Sequence, residues 1–281
     1  MIRDDPMDDI VLVVCGGGAS SVIENAEGRI DMPTFFINSS SRSSIQMVPS
    51  DIEGCFGDQF LASTIAVENI DRIREIFAGK RVAMVFSVLG GGTGTGMMPV
   101  VMGCAKECGC KVVSVSGIPM MFEKPRREKA MDVLPEIISM SDRSFILDVE
   151  TLNILYPSIK IRNVLEVYSR TVAFALQNMY RTMEGPFFSM FSQKVYTFAY
   201  ATDMDPVVAV SKAMENPMVE TDPSAGKLIL YVSSSFGTAE KESLTDAVVS
   251  MSGILPEIVK REDREDTRVL LFLSVRDVDH F

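Results

Sequence analysis

Short apolar runs alternate along this chain with stretches whose apolar residues recur at helical spacing. Residues 9–15, 34–38, 82–89, 111–116, 143–149, 228–233 and 268–275 are rich in Val, Ile, Leu and Phe, which is the pattern of buried strands. Residues 22–26, 60–77, 97–108, 207–214 and 244–252 read as helices between them. The longest helical stretch is 162–183, where Val164, Leu165, Tyr168, Val172, Ala175, Leu176 and Met179 fall on one face. Gly185-Pro186 ends it. Strands and helices in alternation predict an α/β fold.

The stretch with the clearest chemistry is 90–96, G-G-G-T-G-T-G, between the strand 82–89 and the helix 97–108. Glycine permits a sharp turn and removes the Cβ that would hold a ligand away. The free N–H groups of the following helix then face the loop, and the helix dipole favours an anion there. Thr93 and Thr95 add hydroxyl donors. A tight turn alone does not call for five glycines in seven residues, so the expected ligand is a phosphate chain. A second strand–glycine–helix junction occurs at Gly16, Gly17 and Gly18, after the strand 9–15.

Composition narrows the class. The chain has 281 residues, 47% of them hydrophobic, which is enough for a sizeable core and for roughly two domains. The net charge of −11 argues against a nucleic-acid partner, because phosphate backbones need basic patches. Cys15, Cys55, Cys104, Cys108 and Cys110 are odd in number, and the acidic start M-I-R-D-D-P is unlike a secretory leader. Reduced thiols in a cytoplasmic protein are therefore expected. No apolar run reaches the ~20 residues of a membrane span. No metal site is expected: Cys104, Cys108 and Cys110 lack a fourth clustered ligand, and the one histidine is His280. The 19 methionines read as adaptable core filling.

The string 90–96 resembles the phosphate loop of the tubulin/FtsZ superfamily, in its FtsZ form. It is neither a Walker A loop nor a Rossmann G-x-G-x-x-G. Other segments carry the same resemblance. The first glycine loop has Ser20 where the family has Asn. Gly54-Cys55-Phe56-Gly57-Asp58 matches a loop that senses the terminal phosphate, with Phe56 replacing a glycine and Asp58 an Asn. Asp58 near phosphates implies a cation between them, for which Mg²⁺ is suited. Phe122-Glu123-Lys124-Pro125-Arg126-Arg127 is similar to F-E-G-R-R-R, which implies Glu123 at the ribose and Arg127 at phosphate. Arg162-Asn163-Val164-Leu165 stands for N-D-V-L, which implies Asn163 at the base, with weaker purine discrimination because an amide accepts only at its oxygen. Residues 213–221 resemble A-I-x-S-P-L-L-E-x. The implied nucleotide-binding set is thus Gly16, Gly17, Gly18, Ser20, Gly57, Asp58, Gly90, Gly91, Gly92, Thr93, Gly94, Thr95, Gly96, Glu123, Arg127 and Asn163.

The resemblance implies a Rossmann-type GTP-binding domain (1–161), a central helix (162–184) and a smaller α+β domain (185–281), with GTP or GDP as ligand and head-to-tail or dimeric self-association. One departure bears on activity. Where the family's loop N-x-D-F-A-D supplies acids that polarise the attacking water, residues 183–194 read M-E-G-P-F-F-S-M-F-S-Q-K, and Glu184 is their single acid. Phosphoryl transfer to water needs such a carboxylate. The expectation is an FtsZ-like GTP-binding cytoskeletal or scaffold protein with weak or lost hydrolysis. The alternative is a GTPase active on assembly, with Glu184 as its acid. No FtsZ-type C-terminal tail and no direct membrane insertion are expected. A dinucleotide-binding oxidoreductase, from another class, requires an acid at the end of the second strand; Asn38 stands there.

Overall fold

A computed structural model describes residues 9–25, 30–38, 45–46, 54–155, 157–158, 160–182, 194–215, 226–233, 237–261 and 267–275. Its strands are β1 Ile10–Cys15, β2 Thr34–Asn38, β3 Ile45–Gln46, β4 Val82–Val88, β5 Lys111–Ile118, β6 Arg143–Asp148, β7 Val195–Asp203, β8 Gly226–Ser233, β9 Pro256–Arg261 and β10 Thr267–Ser274. Its helices are α1 Gly17–Asn25, α2 Gln59–Glu68, α3 Ile70–Phe77, α4 Thr93–Glu107, α5 Lys124–Met140, α6 Val149–Leu155, α7 Ile161–Thr182, α8 Pro206–Glu215 and α9 Thr238–Ser252.

The strands form one ten-stranded sheet in the order β3-β2-β1-β4-β5-β6-β7-β10-β8-β9. It is parallel from β3 to β7, antiparallel across β7–β10–β8, and parallel again at β8–β9. Side chains alternate between its faces. Ile10, Leu12 and Val14 of β1 enter one core with Val164, Tyr168, Val172, Leu176 and Met179 of α7. Val11, Val13 and Cys15 enter the opposite core with α2, α3, α4 and α5. A third core lies between α8, α9 and the strands β7, β8 and β10. The first core also holds Tyr196, Phe198, Ile229, Tyr231 and Phe272, so α7 packs on strands from both ends of the chain.

Three local outcomes differ from the sequence pattern. The helical stretch 60–77 is two helices, because Asn69 takes a non-helical ψ of 20° and its Nδ2 donates back to the Ile65 carbonyl at 2.8 Å. The glycine string is only partly a loop: Thr93, Gly94, Thr95 and Gly96 are the first turn of α4. Leu165, placed on the apolar stripe of α7, is 46% exposed, whereas Val164 and Tyr168 are buried.

The join between the early and late strands rests on few groups. β6 and β7 pair over Ser144–Val195 and Phe145–Tyr196. Phe145, fully buried, stacks on Tyr196 at 5.9 Å and meets Phe272 edge-on at 5.6 Å. Phe145→Ala removes this shared anchor and is expected to lower stability by about 3–5 kcal/mol in urea unfolding. A loss below about 1 kcal/mol would show that the join is held elsewhere.

Candidate functional site

Two strand-to-helix junctions meet at the C-terminal ends of β1 and β4. Gly16, at φ +84°, lies so near α4 that a Cβ there would sit 2.6 Å from the Gly94 nitrogen. Gly94 in turn faces the Cys15 carbonyl, 2.9 Å from its own ideal Cβ. Ser87 Oγ donates to that carbonyl at 3.2 Å. The starts of α1 and α4 are thereby held against each other. No side chain caps Gly92, the N-cap of α4. Two helix N-termini at one point, with first-turn N–H groups that lack intrahelical partners, make a site for an anion.

The glycines divide into two groups. Five are required by the protein itself. Besides Gly16 and Gly94, a Cβ at Gly90 would lie 2.2 Å from the Arg126 carbonyl, at Gly92 2.8 Å from the Asp58 nitrogen, and at Gly96 2.1 Å from the Gln59 carbonyl. The other three have room. A Cβ at Gly91 meets nothing within 4 Å, at Gly17 only Asn38 Nδ2 at 3.6 Å, and at Gly18 only Val88 at 3.4 Å. No protein contact explains why these positions lack side chains, and Gly17 and Gly18 are exposed.

Beside the loops lies a cleft of about 380 Å³. Its walls are Gly18, Ser21, Val22 and Asn25 of α1, Val88, Pro119, Met120, Phe122, Glu123, Arg126, Val149, and Ile161, Leu165, Tyr168 and Ser169 of α7. Asn25, Ile161, Leu165 and Ser169 continue into a second cleft of about 610 Å³, which Arg162 and Glu166 also border. The Tyr168 hydroxyl, in a residue 1% exposed, has no hydrogen-bond partner among the described residues. Burial, and then the Asp148 charge, push its pKa up, so it is a neutral phenol. The buried Thr95 Oγ1 is likewise unpartnered. Orphaned buried hydroxyls cost about 1–3 kcal/mol each, and a polar ligand or water relieves that cost.

The flanking charges are arranged in pairs. Arg127, 13% exposed, donates from Nη1 to Asp148 Oδ1 at 2.9 Å and from Nη2 to Oδ2 at 2.5 Å, and Nη1 also reaches the Pro119 carbonyl at 2.7 Å. These hydrogen bonds, chiefly, hold the guanidinium pKa above its usual value. Asp148 Oδ1 also accepts from Glu150 N at 3.0 Å, and Glu150 Oε2 from Met121 N at 2.8 Å. Arg126 pairs with Glu123. Asp58 caps α2, accepting from Leu61 N at 3.0 Å.

This arrangement has counterparts. The model of the GTPase domain of the Tubulin/FtsZ family matches residues 20–157. Cell division protein FtsZ of Aquifex aeolicus is 33% identical over 149 residues, covering 49% of this chain and 41% of that protein. FtsZ 2 of Halobacterium salinarum is 26% identical over 190 residues, covering 63% and 48%. Among solved structures, an empty FtsZ dimer of M. jannaschii superposes with a TM-score of 0.80 at 20% identity, over 95% of this chain and 88% of that one. GDP-bound monomeric CetZ1 of Haloferax volcanii gives 0.73 at 16%, over 96% of each. This chain is a divergent FtsZ-like protein. It spans about half the length of the curated relatives it matches.

In this FtsZ-like chain most of the sequence-derived candidates converge. The first glycine loop, Gly57, Asp58, the residues 90–96 and Glu123 surround the two helix starts or the cleft. Three candidates fall otherwise. Arg127 is turned onto Asp148, linking α5 to β6. Ser20 Oγ donates to the Gly16 carbonyl at 3.0 Å, and it is Ser21 that borders the cleft. Asn163 is exposed and absent from both cleft walls, where Arg162, Leu165 and Glu166 stand instead. Glu184 lies outside the described residues. The sequence reading missed Ser21, Val22, Asn25, Arg126 and Tyr168. Helical periodicity carries the signal: Gly18, Val22 and Asn25 share a face of α1, as Ile161, Leu165 and Tyr168 do of α7.

Asp148→Ala leaves the Arg127 charge with little solvent and no carboxylate. The expected loss is about 3 kcal/mol or more in chemical unfolding, partly restored by the double substitution with Arg127→Met. An additive cycle would show that the pair is not coupled.

Proposed function

We propose that this chain binds a guanine nucleotide, GTP or GDP, with its phosphates over the starts of α1 and α4 and its sugar and base in the adjoining cleft. The observation that carries this reading is the second group of glycines. Gly17, Gly18 and Gly91 are small where no protein atom requires it, beside two converging helix N-termini. The donor set fits the ligand: backbone N–H groups and hydroxyls for phosphate, a carboxylate at Glu123 for sugar hydroxyls, and apolar walls with the orphan Tyr168 hydroxyl for a ring. The family match and the GDP bound in the CetZ1 structure support the same choice. In this reading residues 1–161 form the nucleotide unit, 162–184 the connecting helix and 185–281 the second unit.

The proposed role is that of an FtsZ-like cytoskeletal or scaffold protein that self-associates, head to tail or as a dimer, and hydrolyses GTP weakly or not at all. Two features support weak turnover. Glu184 is the only acid in residues 183–194, where the family places its water-polarising carboxylates. Arg127 is engaged by Asp148, which withdraws an arginine from phosphate. A divalent cation such as Mg²⁺ would arrive with the phosphates and neutralise them; Asp58 is an acid whose backbone nitrogen lies 2.8 Å from where a Gly92 Cβ would be, and one of its oxygens already caps α2.

Gly91→Ala separates ligand from fold. It is expected to leave the melting temperature within about 1–2 °C, since the Cβ meets nothing, while weakening GTP binding by about tenfold or more. Equal GTP binding by the variant would overturn the reading. For Tyr168→Phe the expectation is an unchanged or slightly higher melting temperature without nucleotide, because an unsatisfied hydroxyl is removed. Nucleotide affinity should fall about fivefold to tenfold, by the loss of about one hydrogen bond. Phosphate release measured across protein concentrations tests turnover: a rate rising steeply with concentration would replace the scaffold reading by that of a GTPase completed on assembly.

A further inference from the structure

The cations around the glycine loop are not equivalent. Among the described residues, Arg127 is held by Asp148, Arg126 by Glu123, and Lys124 lies 4.0 Å from Glu128. Among the described residues, Lys129 has no carboxylate in such a pair. Its Nζ donates to the carbonyl of Gly57 at 2.9 Å, a neutral acceptor.

Its place is informative. Gly57 and Asp58 cover the glycine loop: a Cβ at Gly92 would lie 2.9 Å from the Gly57 Cα. One turn earlier on α5, the Arg126 carbonyl covers Gly90. The start of α5 therefore runs beside the loop, with Arg126 at its first glycine and Lys129 tied to the residue over its third. The cleft borders Gly18, Glu123 and Arg126 but not Gly57, Asp58 or Lys129. A nucleotide whose sugar and base fill the cleft has its phosphates directed across the loop, and the far end of that path is where Lys129 stands.

We propose that Lys129 recognises the terminal phosphate of a nucleoside triphosphate, exchanging the Gly57 carbonyl for a phosphate oxygen. The inference rests on the loop being a phosphate site. An ammonium is a compact point charge with three donors on a flexible stem, suited to such an exchange. A charged acceptor holds it more strongly than a carbonyl does. Arg127 is not available for this task, since both of its terminal nitrogens donate into Asp148. Lys129 is exposed, so the gain is sensitive to salt. A diphosphate ends before Lys129 and gains nothing from it.

The test compares fluorescent GTP and GDP analogues in anisotropy titrations on the full chain with Mg²⁺ at fixed ionic strength. Lys129→Met should weaken triphosphate binding about tenfold, the scale of one hydrogen bond to a charged group, and leave diphosphate binding within about twofold. Lys129→Arg should retain the preference for triphosphate, and added salt should shrink it in the wild type but not in Lys129→Met. If Lys129→Met weakens both ligands alike, or neither, the assignment is overturned. Lys129→Gln serves as a second uncharged variant should the first lower the melting temperature. Failure of the wild-type chain to bind either analogue would instead sink the phosphate-loop reading beneath it.

Discussion

Backbone pressed against backbone is the constraint on which the site depends. Gly16 and Gly94 meet with no space for a side chain on either. Only this contact lets the turns after β1 and β4 lie side by side, because adjacent parallel strands bring their C-terminal ends together while ordinary side chains would wedge them apart. Once those turns touch, α1 and α4 start at one place and their unpaired N–H groups add. Gly90, Gly92 and Gly96 extend the same logic outward, seating α5, the Gly57-Asp58 turn and α2 against the loop. The anion site follows from packing at no separate expense in charged side chains.

Charge is arranged with a different consequence. With a net charge of −11 the chain repels polyanions at long range, yet its local cations at the site are largely consumed by its own acids. The bidentate Arg127–Asp148 pair is partly desolvated, and such a pair is retained more readily than it is broken. In the proposed reading, backbone dipoles and neutral hydroxyls are the main means of holding phosphate. In that reading the balance suits binding more than catalysis, since transition-state charge on a phosphoryl group calls for mobile cations and a placed carboxylate.

Legibility in the sequence followed the range of the interactions. The strands flanking the glycine turns and the long helix α7 were visible because apolar periodicity is local. The glycine string was visible because its composition has few other uses. Strand β7 was not read, since its pairing with β6 and β10 is set by residues far away in sequence. Arg127 was read as a phosphate ligand from its place in a motif, and nothing local announces that Asp148, twenty-one residues on, competes for it. Asn163 was chosen by alignment with a motif, whereas helical phase decides which residues of α7 reach the cleft. The division of the glycines into required and unrequired positions is beyond any sequence, because it depends on what a Cβ would touch.

Helix α7 gives the site its connection to the rest of the molecule. Tyr168 is at once a wall of the cleft and a member of the core that β1, β4 and β5 share with Phe198, Ile229 and Phe272. Gly117 of β5 lies so close that a Cβ there would be 2.4 Å from the Tyr168 hydroxyl. The ring is therefore fixed between strand and helix and has no soft direction in which to yield. The same helix face carries Val172, Leu176 and Met179 into the shared core. One helix thus borders the cleft at Tyr168 and seats the late strands farther along, where Gln177 adds a polar contact, its Oε1 accepting from Asp31 N at 2.8 Å.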